Sequence, residues 1–429
     1  MIKHNKDKPL TMPEHSDPLT LLLQILSPVT KLEEQLALFS GLDERGWMGL
    51  IEAAQRQQVD ALLYLQVKEF LGKTIITSLS IEVLHNAYLS NAGRNALSLH
   101  NASQILQALG KAGIDVIGLK GIYLIENLYS DIGERSMSDI DILVRKQDLG
   151  KAASILEGLG YEKDTYYDLN DSNLDIKHIP PMTKPGSPPV EVHWTLLEED
   201  EPFSIDAEAL WLRSKPTRIA EVEVLGLGVE DLIMHLSMHL TYQHYLRLGL
   251  RGLYDIALVI HQHRDEIDWQ KLVEIARSWQ AEKVVALSMA LVSDLLGVDV
   301  PQEIQRGLLD EPITPEILAQ AREQLLGREA YDTYLTPDLV DLAGTRNIFG
   351  RIRLGLQRLF LPRLTLARLY GVPPDSPRIF MCYFQRLKYL VRQYGKTVLK
   401  IGTGDASLEP ALASGKTSDE LHAWMSRRT

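Results

Sequence analysis

The sequence predicts an α+β protein, a small mixed sheet flanked by an N-terminal helical region and a C-terminal helical domain. Three observations lead there. From Asp17 to about Gly110 apolar residues recur at three- and four-residue spacing, the period of an amphipathic helix. From Gly113 the texture changes to short β-branched runs, IDVIGL, DIDILV and VEVHW, alternating with helical stretches. From Glu230 the helical period returns and holds through about Leu326. At about 100–200 residues per domain, a chain of 429 residues makes two to four structural units.

Element by element, residues 1–16 are polar and expected to be disordered, and 17–112 form the N-terminal helical region. The α/β core occupies 113–228. It opens with a strand in IDVIGL, a helix over 122–128, a strand in DIDILV and a helix over 147–158. Strand candidates 176–179 and 190–194 flank the turn-rich PPMTKPGSPP, and 219–225 reads as one further strand. Residues 229–345 form the helical domain, 346–401 a basic helical extension, and the Gly-, Ser- and Ala-rich 402–429 a flexible tail.

Composition narrows the function classes. Lys and Arg number 45 against 57 Asp and Glu, a formal net charge of -12. Such a body does not coat nucleic acid non-specifically, because counterion release rewards clustered cations. The lone Cys382 excludes an intrachain disulfide framework and a cysteine-built metal site, so a reducing, cytoplasmic setting is expected. No secretory signal is read at the N-terminus. The most apolar later window, 284–298, falls short of the ~20 residues a bilayer needs, so no transmembrane segment is expected.

The chemistry gathers in GLKGIYLIENLYSDIGERSMSDIDILV, residues 118–144, and in VEVHW roughly fifty residues later. Along a strand, side chains alternate, so Asp139 and Asp141 share one face while Ile140 and Ile142 take the other. Two carboxylates held that close repel unless a cation lies between them, and hard oxygen ligands suit Mg²⁺ or Mn²⁺. Glu191, on a strand able to lie alongside, supplies a third. Upstream, Gly118-Leu119-Lys120-Gly121 turns from strand into helix, placing backbone N–H groups and a lysine where phosphates can sit. Arg135 precedes the first aspartate by four residues, and its planar fork suits a triphosphate. These are the parts phosphoryl-type transfer requires.

With h for an apolar residue, the order h-L-K-G, R-x-x-x-D-h-D-h-L-V, h-E-h-H-W resembles the poorly characterised nucleotidyltransferase family of the polymerase-β-like superfamily, over roughly residues 40–300. The resemblance implies a small mixed-sheet core, two divalent cations (Mg²⁺ or Mn²⁺), a nucleoside triphosphate donor and release of pyrophosphate. It makes Asp139 and Asp141 metal ligands and Glu191 the third carboxylate, ligand or base. Lys120, Gly121, Arg135 and Ser138 would hold the nucleotide. The superfamily usually has Gly-Ser or Gly-Gly in the phosphate turn and a shorter gap to the aspartates, where this chain has Lys120-Gly121 and a longer one. The acceptor is open between small molecule, peptide or protein, and RNA. A non-catalytic adaptor binding a nucleotide or an anionic peptide, and a kinase-type phosphotransfer, are the other readings.

Two further features are weighed. His235 and His239 stand at i, i+4 with His244 beyond, but Leu236 replaces the glutamate of a zinc-protease helix, so core packing is the expected role. Arg251 and Asp255, which match a later Arg and Asp of the family, are expected to form an i, i+4 pair. Between Arg346 and Lys400 twelve Lys and Arg face Asp375 alone, a local charge of +11 interleaved with Leu, Phe and Tyr. That stretch reads as a solvated face or as a dock for an anionic partner.

Overall fold

A computed structural model describes residues 17–70, 78–162, 177–198, 201–327 and most of 353–427. The N-terminal segment forms α1 (Pro18–Leu26), α2 (Leu32–Ser40), α3 (Glu44–Arg56), α4 (Asp60–Lys68) and the long α5 (Ser78–Lys111). Helix starts follow local chemistry. Asp17 caps α1 by accepting from Thr20 N, with Pro18 in the first turn, and Asp43 caps α3 through Gly46 N.

The sheet has five strands, β1 (Ile117–Gly118), β2 (Ile140–Leu143), β3 (Val190–His193), β4 (Lys215–Ile219) and β5 (Val222–Gly226), in the order β3-β2-β1-β5-β4. β2 runs parallel to β3 and antiparallel to β1, while β1 runs parallel to β5. Helices α6 (Lys120–Asn127), α7 (Leu149–Gly158) and α8 (Ala207–Arg213) connect them. Ile140, Ile142, Val190 and Val192 pack with Ile105, Leu109 and Leu156 from α5 and α7 into a core of the sheet's own.

The expected single strand at 219–225 is instead the hairpin β4–β5. Ile219 pairs with Val222, and the two-residue turn puts Ala220 at φ 48° and Glu221 at φ 64°. Two positive φ values mark the turn that follows strand twist, a conformation favouring Asn-Gly, and Ala-Glu gives no such signal. Glu221→Gly should relieve this strain and raise stability by about 0.5–1 kcal/mol in chemical denaturation. The exposed Arg218–Glu221 ion pair lost with it contributes little.

Beyond the sheet lie α9 (Val229–Ser237), a π-helical turn (Met238–Gln243), α10 (Gly249–Gln262), α11 (Trp269–Trp279), α12 (Glu282–Leu296), α13 (Gln302–Leu308) and α14 (Pro315–Leu326). These helices and the N-terminal ones share one core, in which Leu22, Ile25, Trp47, Leu50 and Leu63 pack with Ile256, Val284, Leu291 and Leu325. Buried polar groups tie the same join. Ser27 Oγ donates to Leu296 O at 2.6 Å, Gln57 Nε2 to Leu326 O at 3.2 Å, and Leu250 N to Gln57 Oε1 at 3.0 Å.

The described C-terminal part contains α15 (Arg363–Tyr370), α16 (Ile379–Thr403) and α17 (Glu409–Ser426). The expectation of a flexible tail from 402 is corrected by α17, whose Leu421 and Met425 are buried in the shared helical core. Ala is a strong helix former, and the cost of Gly415 and the serines is outweighed when an apolar face has a partner to cover it. The expectations for 1–16 and 328–352 lie outside the described residues.

Candidate active site

The register of two parallel strands builds the site. Asp141 on β2 pairs directly with Glu191 on β3, so their side chains leave the sheet on the same face, and His193 follows two residues on. On the opposite face Ile140, Ile142, Val190 and Val192 are fully buried. Burying that face fixes the acidic set toward the cleft, since a one-residue slip would invert both.

The third element is the β1–α6 turn. Leu119 N donates to Asp141 O at 3.1 Å, after which Lys120 takes φ 41° and starts α6. Its ammonium lies 2.8 Å from Asp141 Oδ1 and 4.0 Å from Glu191 Oε2. His193 Nε2 lies 2.9 Å from Asp141 Oδ1 and 3.3 Å from Glu191 Oε2, and His178 Nε2 lies 3.8 Å from Glu191. A Cβ on Gly121 would come within 2.8 Å of Met137, so this position keeps the turn tight against the loop before β2.

Electrostatics separate the carboxylates. Burial alone would raise Asp141, but Lys120 and His193 outweigh it and hold the carboxyl well below its usual range. Glu191 is lowered by its hydrogen bond with His193 against the effect of burial. Asp139 stands one residue before β2 and is raised, first by burial and then by the charge of Asp141, despite Lys120 and a hydrogen bond from the exposed Ser138. Burial works against the Lys120 ammonium, yet Asp141, Glu191 and Asp139 together raise it.

Arg135 is engaged elsewhere. It is buried, and Nε and Nη2 donate to Asp255 Oδ1 and Oδ2, each at 2.8 Å. Tyr129 Oη donates to the same Asp255 at 2.7 Å, and Asn95 Nδ2 donates to Arg135 O at 2.7 Å. The expected use of Asp255 with Arg251 is thereby corrected: both Asp255 oxygens serve Arg135, and Arg251 Nη1 donates to Ser136 O at 3.1 Å. A carboxylate satisfied bidentately by a planar guanidinium is a better buried partner than an exposed i, i+4 pair.

Two cleft residues escaped the sequence reading. His178 bridges to His193 beside β3, with the rings 4.8 Å apart edge to face. Lys177, next to it, is pushed down by burial and by the charge of Lys120. The available signal was a basic pair in the run preceding the acidic strand. On the helical side, His244 is pushed down to about 4 by burial and by Lys120, which places it within reach of the cleft's charge. His239 Nδ1 meets Gln243 Oε1 at 3.2 Å, and Gln243 Nε2 donates to Leu196 O at 3.0 Å. His235 is buried, and its Nε2 has no hydrogen-bond partner among the described residues. Of these histidines His239 lies within the π-helical turn, a feature that often marks functional sites, while His235 precedes it on α9 and His244 follows it.

Ligand atoms of Asp141, Glu191 and His193 lie within 4.8 Å of one another, and buried Asp141 Oδ2 has no hydrogen-bond partner among the described residues. A buried carboxylate oxygen with no protein donor aimed at it fits a cation better than it fits apolar packing. The set therefore suits a divalent metal ion, with Asp139 beside it and outside the converging group.

The site thus joins a small mixed sheet, a lysine-bearing first turn and paired acids on the next two strands. The chain belongs to the family described as uncharacterised nucleotidyltransferases, whose profile matches residues 43–297. No curated protein and no solved structure matches it.

Proposed function

We propose that the protein transfers a nucleoside monophosphate from a nucleoside triphosphate to an acceptor hydroxyl or similar nucleophile, releasing pyrophosphate. The observation that carries this reading is the direct pairing of Asp141 with Glu191, with Lys120 and His193 closing on the same carboxylates. Asp141 and Glu191 would hold Mg²⁺ or Mn²⁺, with Asp139 turning in from beside them to complete the carboxylate set, and His193 would fix the orientation of the first two. When bound, the metal supplies charge neutralisation along the triphosphate and lowers the acidity barrier of the attacking group.

The chain's own residues carry the remaining work. The acceptor oxygen forms a bond to the α-phosphorus as the bond from that phosphorus to the bridging oxygen breaks. The electron pair leaves on pyrophosphate, and the acceptor proton passes to a cleft carboxylate, Glu191 in this reading. Lys120, now on Asp141, is the cation able to turn toward the departing phosphates, with Lys177 beside it. Arg135 acts from behind, holding the loop of Ser136, Met137 and Ser138 against the helical domain through Asp255.

The test is incubation of the protein with Mg²⁺, α-labelled nucleoside triphosphates and a cell extract, with Asp141→Asn as control. Label should enter one acceptor with stoichiometric pyrophosphate. Transfer of γ-label instead would establish a kinase, and nucleotide binding without product an adaptor. His193→Ala should weaken Mn²⁺ binding by about 10–100-fold in calorimetry, because two carboxylates lose their common donor. Unchanged affinity would remove His193 from the site.

A further inference from the structure

Exposed apolar side chains concentrate on α16. Phe380, Phe384, Leu387, Val391 and Val398 are 64%, 65%, 42%, 62% and 40% exposed. Their spacing of four, three, four and seven residues sets them on one helix face. Exposed Lys388 and Arg392 flank that stripe, exposed Lys396 follows further round the helix, and the helix sequence contains no acid. The other side of α16 is already used. Ile379 and Cys382 pack on Leu366 and Ala367 of α15, and Tyr383 Oη donates to Leu361 O at 2.9 Å.

We propose that this face of α16 docks the protein onto an anionic lipid surface, the helix lying in the plane of the headgroups. The apolar stripe would enter the boundary with the acyl chains while the flanking Lys388 and Arg392 meet lipid phosphates. Each half of the pattern alone fits several partners, and the combination selects. A second copy would bring two strongly basic helices together. An RNA would satisfy the cations and could stack bases on Phe380 and Phe384, but it offers nothing to the aliphatic Leu387, Val391 and Val398 that continue the stripe. The net charge of -12 orients the molecule as well, since the acidic body is repelled by the surface that attracts residues 346–400. Among the described residues no helix is long and apolar enough to cross a membrane, so α16 lies on the bilayer.

The experiment is co-sedimentation of the full chain with vesicles of phosphatidylcholine mixed with phosphatidylglycerol, against phosphatidylcholine alone. Binding to the mixed vesicles, weakened by salt and lost on the neutral ones, is expected. A triple variant Phe384→Ser, Leu387→Ser, Val391→Ser should lose at least tenfold in affinity. So should Lys388→Glu, Arg392→Glu, Lys396→Glu, and both should keep the parent's melting temperature because the side chains are exposed. Wild-type protein that stays in the supernatant with mixed vesicles overturns the proposal. So does binding that neither variant changes, a lipid-free dimer abolished by the serine variant, or a preference for RNA that the vesicles cannot displace.

Discussion

Asp141→Asn is expected to reduce nucleotidyl transfer by at least ~10³-fold, about 4 kcal/mol of transition-state stabilisation. The substitution preserves volume but removes the charge on which Lys120, at 2.8 Å, and His193, at 2.9 Å, converge. Stability should fall too. A carboxyl held below its usual range stabilises the folded state above its unfolded pKa and loses that contribution as pH falls through the folded one. Asp139→Asn should behave oppositely in stability while also losing activity. Its carboxyl is raised by burial and by Asp141, so its ionised form opposes folding, and the amide removes that penalty in chelator-treated protein. The pair of variants, measured by transfer assay and by urea denaturation, thus separates a paired acid from a crowded one. Equal stability losses at both positions would contradict the described electrostatics.

Arg135→Ala is expected to destabilise the protein by about 3–5 kcal/mol, because it strands Asp255 in the interior. Asp255→Ala should cost a similar amount, and Tyr129→Phe about 1 kcal/mol, since one hydrogen bond is lost while the guanidinium remains. The double variant Arg135→Met, Asp255→Leu should recover much of the loss, as apolar replacements of buried pairs often do. Denaturation midpoints at constant denaturant slope are the measurement. An Arg135→Ala protein with parental stability and a greatly raised KM for nucleotide would return Arg135 to direct phosphate binding, the role its sequence position suggested.

Much of the site was legible because strand alternation is local. Period two in DIDIL and VEVHW accounts for the shared face of Asp141 and Glu191 on β2 and β3, whereas Asp139 falls one residue before β2 and outside the converging group. The pairing of Asp141 with Glu191 depends on register across roughly fifty residues, which no local pattern specifies. The partner of Arg135 lies 120 residues away on α10, whereas the i, i+4 spacing made Arg251 the visible candidate for Asp255. The β4–β5 hairpin was hidden by a turn without Gly or Asn, and α17 by composition, since its Leu421 and Met425 acquire meaning only against the rest of the core. His193 was visible as a neighbour of Glu191, but its contact with Asp141 follows from the same register.

The hydrogen bonds from Ser27 to Leu296 and from Gln57 to Leu326 each span 269 residues of chain. The helical body therefore closes only after the sheet has been synthesised and threaded between its two halves. During translation the first four helices wait with their apolar faces unmatched, a situation that slows folding and exposes the nascent chain to aggregation. A shortened chain starting at the sheet would lack the N-terminal helices that complete the shared core, so the support of the cleft depends on that long-range encounter.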